Sequence, residues 1–393
     1  MTTRRCRRPR VFTASWGQLE AEGSNLGDTA ILAAQLRDLR GAGFDVAVAS
    51  ADPARTRRIF PGLRAFPLSG GRPLAMARGV AWADVVVVGG GELAQDTSSL
   101  LYTPFNLLPL MLARLLGRRS FAWGIGIGQG GELRPWTPRL LRRWLGGCRG
   151  ITARDRPTRR LLLSLGLSPR RVVTAADSAF SLAGPVAAEP GEHLAAAPRD
   201  VSNRQGSLLP LELRRKLGLW QRPDPTAVRR AWAGLLDGHL AERGGRVLML
   251  PFHTGTLSNA DDEECRAIAG MMDRGGRVEI VDTSTPESAM GALARCRALV
   301  TVPLHGSILG VIAGAVPVAA PYASKGSRFM EQAGLGGMVV PQPGSRGFAK
   351  MADGLLGRIW GDGGIRSRML AGREELVRLG RLNLLHFRRT CGY

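Results

Sequence analysis

Short runs of β-branched and apolar residues alternate with longer amphipathic stretches along most of the chain. The short runs predict buried strands, and the stretches, with apolar residues three and four positions apart, predict helices. In the first half, strands are predicted at Val11–Ser15, Phe44–Ala49, Asp84–Val88, Ser120–Gly124, Gly150–Ala153 and Val172–Thr174. Helices between them are predicted at Thr29–Leu39, Leu107–Leu116 and Arg139–Leu145.

The pattern is interrupted at Gly184–Glu192, GPVAAEPGE, whose prolines and glycines predict a linker. Beyond it, strands are predicted at His193–Ala197, Arg246–Pro251, Val278–Val281, Ala298–Val302, Pro317–Ala320 and Gly337–Val340. Alternation of strands and helices is typical of parallel sheets that are covered by helices on both faces. We therefore expect an α/β fold of two Rossmann-like lobes with parallel sheets and a cleft between them.

The expected division of the chain is an N-terminal lobe over 1–183, a C-terminal lobe over 193–365 and terminal helices over 366–393. The segment Ser202–Pro225 fits no element, and we expect it to be a loop over the cleft. Each lobe is long enough to bury a core of ordinary size.

The composition, with 44% hydrophobic residues and a mean hydropathy of −0.03, indicates a globular protein. No run reaches the roughly 18–20 apolar residues that a membrane span requires. The basic N-terminus lacks the apolar core of a secretory signal. The five cysteines form no CxxC pair, which argues for a reducing cytosol and against a structural zinc site. We expect a cytoplasmic protein without a bound metal.

The formal charge of +22 raises the question of a nucleic-acid partner. Only three of the 54 basic residues are lysines, and the arginines are spread over nearly every predicted helix. A compositional bias of the source genome would produce this distribution, so we expect no nucleic-acid partner. A basic surface still attracts membrane head groups and acidic glycans. The apolar segment Pro104–Leu116, followed by Arg118 and Arg119, either lies on the inner face of a membrane or forms a buried helix.

One segment concentrates residues that carry chemistry. The predicted strand ending at Val302 is followed by His305, and a predicted helix runs from Ser307 to Ala315. Open parallel sheets bind ligands beyond the carboxyl ends of their strands, which is where His305 is placed. The helix start offers backbone N–H groups to an anion, and Lys325 follows the next strand. These groups predict phosphate chemistry, although His305 is equally compatible with a purely structural place at a helix start.

Two glycine-containing corners of the first half adjoin predicted elements. The first precedes a helix, and its aspartate is either a helix cap or a ligand contact. The second follows the most strand-like run, and three consecutive glycines indicate the close approach of a ligand or another backbone. The candidates in these corners are Asn25, Gly27, Asp28, Gly89, Gly90, Gly91 and Asp96. A third corner, Trp123–Gly131, lacks the spacing of a dinucleotide fingerprint, so we expect no nucleotide cofactor.

Charged residues follow several other predicted strands. Arg199 comes two residues after the end of the strand His193–Ala197, where arginine suits bidentate binding of a carboxylate or phosphate. His253 follows another strand, but no second histidine lies at metal-ligand spacing. Arg154 and Asp177 also follow strands, and an intramolecular ion pair is the alternative to ligand binding for each of them.

Taken in order, these corners resemble the polysaccharide pyruvyl transferase family, which includes bacterial cell-wall pyruvylation proteins. The pieces extend from about residue 24 to 330, and the resemblance rests on the ordered set. They are Asn25–Asp28, Gly89–Asp96, Thr152–Asp155, Thr174–Phe180, Arg199, Pro251–His253 and Leu304–Lys325. The resemblance implies a GT-B-like fold. It also implies transfer of the pyruvyl group of phosphoenolpyruvate to two hydroxyls of a sugar, with a cyclic ketal and phosphate as products.

The resemblance also implies roles for the candidate residues. His305 would be the general acid/base, and Arg199, Lys325 and the helix start at Ser307 would bind the donor in the C-terminal lobe. The first-lobe corners, Asp96 among them, and His253 would face the acceptor, a sugar of a polysaccharide or of its lipid-linked precursor. No cofactor is implied.

One position departs from the family pattern. The family has an arginine two residues before the histidine, and this chain has Pro303 there. Either another arginine, such as the nearby Arg328, replaces that charge, or the donor differs, or the activity is lost. Two other functions stay open: a sugar-nucleotide glycosyltransferase of the same fold, and a non-catalytic relative that binds a glycan or an anion.

Overall fold

Two parallel sheets covered by helices organise the chain, which confirms the predicted α/β fold class. The structure is a computed structural model and describes residues 7–14, 24–67, 72–97, 100–201, 217–219, 223–255 and 260–393. The loop predicted over 202–225 lies for the most part outside these ranges.

The strands of the described ranges are β1 (Arg10–Ala14), β2 (Ser24–Asn25), β3 (Asp45–Ser50), β4 (Arg64–Pro67), β5 (Val85–Gly89), β6 (Glu92–Ala94), β7 (Arg119–Ile127), β8 (Gly150–Ala153), β9 (Val172–Thr174), β10 (His193–Ala197), β11 (Val247–Met249), β12 (His253–Thr254), β13 (Val278–Ile280), β14 (Cys296–Thr301) and β15 (Val316–Ala319). The α-helices are α1 (Leu26–Gly41), α2 (Pro53–Ile59), α3 (Arg72–Trp82), α4 (Tyr102–Leu115), α5 (Thr137–Leu145), α6 (Arg156–Ser164), α7 (Thr226–Arg243), α8 (Asp261–Ala269), α9 (Pro286–Ala294), α10 (Leu304–Ala313), α11 (Ser324–Gln332), α12 (Phe348–Gly361) and α13 (Gly363–Cys391).

The sheet of the first lobe has the strand order β4-β3-β1-β5-β7-β8-β9, and β6 pairs with β7. All of its strand pairs are parallel. The four consecutive valines of β5 are all buried, as expected for a central strand that is covered by helices on both faces. Because the strands are parallel, their carboxyl ends lie along one edge and their amino ends along the opposite edge.

The sheet of the second lobe has the order β13-β11-β10-β14-β15, and its pairs are also parallel. A short antiparallel pair joins the two lobes, in which His253 of β12 lies opposite Asn25 of β2. Next to this pair, the amide of Leu26 donates to the carbonyl of Phe252 at 2.9 Å. The start of α1 is therefore attached to the second lobe by main-chain hydrogen bonds.

The last helix, α13, packs on both lobes. Its start is capped by Asp362, whose carboxylate accepts from the amide of Gly364 at 2.8 Å. Its other end reaches the first lobe, where Phe387 is fully buried. The Phe387 ring lies 5.4 Å from that of Phe44 and 5.3 Å from that of Phe121, in edge-to-face contacts. The helix thus connects the end of the chain to the core of the first lobe.

Most predicted strands form within a few residues of their expected bounds, and one does not form. At 337–340 the chain makes a 3-10 turn over Gly336–Met338, and only Val339 bridges to Ala319 of β15. That prediction was wrong, because a single bridge at the sheet edge does not continue into a strand. Conversely, the sequence pattern did not predict β4. This strand lies at the edge of the first-lobe sheet, and its sequence, RAFP, has no β-branched residue. The predicted domain boundaries stay a prediction.

The apolar segment Pro104–Leu116 forms most of α4. Its Leu107, Leu110 and Ala113 are buried in the core of the first lobe, so the buried helix is the alternative that the structure supports. The exposed residues of this segment are at its carboxyl-terminal end, Arg114 to Leu116. Within the described ranges, no helix has the length and apolar character needed to cross a membrane.

Candidate functional site

His305 lies where β14 ends and α10 begins, between the two lobes. The helix starts at Leu304, three residues earlier than expected, because Pro303 occupies the N-cap position with a backbone that proline readily adopts. His305 therefore belongs to the first helical turn. Its ring faces Gly27 of α1: a Cβ added at Gly27 would lie 2.6 Å from Cγ of His305 and still closer to Nδ1. The absence of a side chain at Gly27 is what admits the ring.

Two residues of the first lobe complete the surroundings of His305. Nε2 of His305 lies 3.8 Å from Oδ2 of Asp177, and Nη1 of Arg154 lies 3.5 Å from the same oxygen. The other oxygen of Asp177 accepts from the amide of Ala179 at 3.1 Å, which fixes the carboxylate. Among the described residues, Nε2 of His305, Oδ2 of Asp177 and Nη2 of Arg154 are buried and have no hydrogen-bond partner. Buried polar atoms are rarely left so, and such atoms mark a place for a ligand or water.

The charge state of His305 follows from these neighbours. Burial lowers its pKa, Asp177 opposes this, and Arg154, Lys325 and Arg199 lower the pKa further, to about 4. The imidazole is therefore neutral at pH 7. Three cations act on one ring, so an anion placed among them would raise the pKa of His305 by offsetting their charges.

Helix α11 brings the other predicted donor-side residues to the first lobe. Nζ of Lys325 lies 2.8 Å from a carboxylate oxygen of Glu92, and both side chains are largely buried. Arg328 lies 3.5 Å from the carboxylate of Asp155. Gln332, one turn further on, donates to the carbonyl of Arg154 at 3.3 Å. The cations of the second lobe thus meet carboxylates of the first lobe across the cleft.

Arg199 is committed to a second-lobe partner. Its guanidinium forms a bidentate pair with Asp261, with N–O distances of 2.8 and 3.2 Å. Asp261 is fully buried and also accepts from the amides of Phe252 and His253. Burial alone would lower the pKa of Arg199, but the Asp261 carboxylate raises it above its ordinary value. Through Asp261, Arg199 consequently holds the loop that carries β12, and its charge also acts on His305.

Backbone conformation and close packing explain most of the glycines in the Gly89–Gly91 corner. Gly89 and Gly90 have φ of 103° and 96°, in the left-handed region that favours glycine. A Cβ at Gly89 would lie 2.8 Å from the carbonyl of Trp123, and one at Gly90 would lie 2.9 Å from Nε2 of Gln35. Gly91 has ordinary backbone and only a 3.6 Å contact to Ile31, so space does not require glycine there.

The remaining candidates divide between structural contacts and a cavity. Asn25 caps α1 by accepting from the amide of Gly27 at 3.1 Å, and its amide group donates to Asp28. Asp96 is buried, and its carboxylate accepts from Thr137 at 2.5 Å and from the amide of Arg134 at 2.7 Å. A cavity in the first lobe is lined by Asp28, Gly89, Gly91, Glu92 and Tyr102, among others. Ser307 is buried in the first turn of α10.

The structure thus brings Gly27, His305, Arg199 and Lys325 together at the cleft and places Asp96 in a separate hydrogen-bond network. Sequence reasoning did not include Arg154, Asp177 and Glu92 among the site residues. Arg154 and Asp177 follow the carboxyl ends of β8 and β9 by one and three residues. That position was evident in the sequence, but it left an ion pair and ligand binding open, and the two residues do form an ion pair at 3.5 Å. Within the described ranges, no group of three His, Cys, Asp or Glu side chains is arranged to hold a metal ion.

Comparison with known proteins adds a family and a fold. A sequence model of the polysaccharide pyruvyl transferase family matches residues 25–324. A search of the curated proteins finds no match.

Several solved structures are similar over nearly the whole chain. The UDP-GlcNAc 2-epimerase from Neisseria meningitidis bound to UDP-GlcNAc has a TM-score of 0.61 at 8% identity, covering 97% of this chain and 100% of that one. A putative UDP-N-acetylglucosamine 2-epimerase from Listeria monocytogenes has a TM-score of 0.59 at 12% identity, covering 93% and 91%. The glycotransferase of kitacinnamycin has a TM-score of 0.56 at 13% identity, covering 98% and 100%. At such identities the likeness shows the fold alone, a GT-B-like arrangement of two Rossmann-like lobes.

Proposed function

Because the chain belongs to the polysaccharide pyruvyl transferase family, we propose that it transfers the pyruvyl group of phosphoenolpyruvate to a sugar. The acceptor is a sugar of a polysaccharide or of its lipid-linked precursor. Two bonds form between the enol carbon and two sugar hydroxyl oxygens, and the bond from that carbon to the phosphate oxygen breaks. Of the two hydroxyl protons, one ends on the methylene carbon and one on phosphate, so the products are a cyclic ketal and inorganic phosphate.

The observation that carries the proposal is the pair of His305 and Asp177, set among Arg154, Arg199 and Lys325 in the cleft. Protonation of the methylene carbon needs a positioned acid, and His305 supplies one once its pKa rises in the presence of the anionic donor. The Asp177 carboxylate, 3.8 Å away, stabilises the imidazolium form. The cations stabilise the departing phosphate, so acid and leaving-group stabilisation come from one cluster.

The donor carries a phosphate and a carboxylate, and both need cationic partners. Nη2 of Arg154 and Nε of Arg328 are buried, and no described residue accepts a hydrogen bond from either. They can therefore take a donor oxygen without giving up another hydrogen bond. Lys325 would exchange the Glu92 carboxylate for one on the donor. Arg154 and Arg328 together replace the charge that the family arginine would provide at Pro303.

The acceptor is proposed to bind in the first lobe, next to the Gly89–Gly91 loop. Carboxylates accept hydrogen bonds from sugar hydroxyls, and Asp28 and Glu92 both line the cavity there. When the donor draws Lys325 away from Glu92, that carboxylate becomes available to an acceptor hydroxyl. Donor binding would thereby prepare the acceptor side. We place the reaction in the cytoplasm, at the face of the membrane where a lipid-linked acceptor is exposed.

A second candidate is sugar transfer from a nucleotide donor, and one observation favours it. A cavity in the second lobe, beside Arg199, is lined mainly by apolar groups, including Val228, Trp232 and Pro343. An aromatic and apolar cavity next to an arginine suits a base and its phosphate. Arg199 lines this cavity and His305 does not.

The test is to incubate the purified protein with an oligosaccharide acceptor and either phosphoenolpyruvate or a UDP-sugar. Under the proposal, phosphate is released only with phosphoenolpyruvate, and the acceptor gains the mass of a pyruvyl ketal. The matched control is His305→Asn, which keeps a polar side chain of similar size and removes the titratable ring. Release of UDP without phosphate would replace the proposal by the second candidate. Donor and acceptor binding without either product would assign the chain to a non-catalytic role.

A further inference from the structure

The edge of the first-lobe sheet opposite the cleft, where all its strands except β6 begin, is strongly basic. Five of the seven strands along this sheet begin at or one residue after an arginine: Arg64, Arg10, Arg119, Arg149 and Arg171. The other two begin at Asp45 and just after Asp84. Asp84 is already paired with Arg7 at 2.7 Å and accepts from the amide of Arg10. We call this edge, with the helix ends beside it, the amino edge.

Helix ends add further arginines to the amino edge. Arg57, Arg114 and Arg118 lie at or just beyond the ends of α2 and α4, and all three are exposed. Cations at helix carboxyl ends interact favourably with the helix dipole, so these three arginines alone would not indicate a binding surface. The arginines at the starts of the strands are not at helix ends, so this favourable interaction does not explain their placement. In the described part of the chain, Arg64, Arg118 and Arg149 form no ion pair with a carboxylate, so their charge is directed to solvent.

Aromatic and aliphatic side chains accompany this charge. The guanidinium groups of Arg10 and Arg64 lie 5.3 and 5.5 Å from the ring of Trp82. Arg119 lies 5.4 Å from the ring of Tyr393 in the same way. The end of α4 exposes Leu115 by 74% and Leu116 by 47%, directly before Arg118 and Arg119.

The charge of the chain is also unevenly distributed. The first 183 residues contain 27 of the 54 basic residues but only 12 of the 32 acidic ones. The first half therefore carries about two thirds of the net charge. A bias toward arginine that is uniform along the chain does not explain this uneven net charge. The two parts contain equal numbers of basic residues, and the difference comes from the acidic residues.

We propose that the amino edge is a membrane-binding surface for bilayers that contain anionic phospholipids. The arginines meet the head-group phosphates, Trp82 and Tyr393 lie at the level of the head groups, and Leu115 and Leu116 enter the boundary with the acyl chains. The surface does not include any residue of the cleft, so the proposal does not depend on the proposed function.

A nucleic acid would satisfy the arginines but not the rest of the surface. Phosphodiester backbones offer nothing to two adjacent exposed leucines, whereas a bilayer interface accepts both charged and aliphatic groups. Trp82 has two guanidinium groups beside its ring, which leaves little room for stacking a base. The mixture of groups therefore favours a lipid surface.

The test is sedimentation of the full chain with vesicles of phosphatidylcholine, alone or mixed with phosphatidylglycerol. Wild type should bind only the mixed vesicles, and less at high salt. Replacing Arg64, Arg118 and Arg149 by glutamine should weaken binding by at least about tenfold, since each basic residue near an anionic surface contributes about 1 kcal/mol. The matched control replaces three exposed second-lobe arginines, Arg274, Arg277 and Arg358, by glutamine, and should bind as wild type does.

A second variant separates the contributions. Leu115→Ser with Leu116→Ser should abolish the part of the binding that persists at high salt and retain the salt-sensitive part. Melting temperatures establish that the variants are folded, and if the triple variant unfolds, Arg64→Gln and Arg149→Gln are tested singly. Failure of wild type to bind mixed vesicles overturns the proposal, as does equal loss in the second-lobe control. Binding to duplex DNA that is lost in the arginine variant and unchanged in the leucine variant would assign the surface to nucleic acid instead. Pyruvyl transfer can fail without affecting any of these outcomes.

Discussion

The ring of His305 lies against the bare Cα of Gly27, although the two residues belong to different lobes. Gly27 is the second residue of α1, and its amide is held by the Asn25 cap. The contact therefore joins the start of a first-lobe helix to the start of a second-lobe helix. It fixes the direction of the imidazole toward Asp177 and makes the site depend on how closely the lobes approach.

A side chain at Gly27 should disturb this contact. In Gly27→Ala the new Cβ overlaps the imidazole, so either His305 rotates away from Asp177 or the lobes separate. We expect the turnover rate to fall by about tenfold or more, with a smaller effect on the melting temperature. Gly234→Ala is the matched control, because a Cβ at that helical position meets nothing within 4 Å. Unchanged turnover in Gly27→Ala would show that the geometry seen here is not the one that reacts.

The pKa of His305 should respond to the donor. Burial and the surrounding cations lower it to about 4. A bound dianion offsets those cations, so we expect titration of the His305 ring, followed by NMR, to shift to higher pH when phosphoenolpyruvate is added. Asp177→Asn removes the carboxylate that raises this pKa and should shift the titration to lower pH. If the donor binds but the His305 titration does not move, the donor site lies elsewhere in the molecule.

Replacing Arg199 or Arg328 by alanine should affect different properties, stability in the first case and donor binding in the second. Arg328→Ala should weaken donor binding in calorimetry by about tenfold, with little change in stability, because the contacts of Arg328 to Ser324, Ile127 and Asp155 are long, at 3.4 to 3.5 Å. Arg199→Ala leaves the buried Asp261 carboxylate without its cation and should cost about 3 kcal/mol of unfolding free energy. Urea unfolding distinguishes the two. An Arg199→Ala variant of wild-type stability would contradict the structural role given to the pair.

The buried His239 should make the protein sensitive to acid. It lies at 4.7 Å from the ring of Trp360, and burial, with Arg243 nearby, lowers its pKa from 6.5 to about 4, while Asp353 opposes the shift. Between these values the unfolded chain binds a proton that the folded chain does not, so stability is lost as the pH falls from about 6.5 toward 4. His239→Leu should lose less stability than wild type over that interval, as measured by urea unfolding at pH 7 and pH 5. An equal loss in both proteins would attribute the acid sensitivity to other groups.

Local periodicity was sufficient to predict the two parallel sheets. The bounds of β8, β9 and β10 agree residue for residue with the sequence prediction, since buried runs of this kind depend on their own apolar side chains. The placement of His305 beyond the end of β14 was predictable for the same reason, because the carboxyl end of a parallel strand is where the chain turns toward the ligand edge.

Only the tertiary structure decided which residues meet. His305 and Asp177 are separated by 128 positions, Lys325 and Glu92 by 233, and neither pair has a pattern in the sequence that predicts its contact. Their contacts depend on the packing of one lobe against the other, and α13 helps to set that packing by burying Phe387 in the first lobe. The partners of Arg199 and Asp96 were likewise hidden, because a charged residue after a strand has the same local sequence whether it faces a ligand or a buried neighbour. Periodicity reports which side of an element is buried, and only the assembled lobes determine what lies against it.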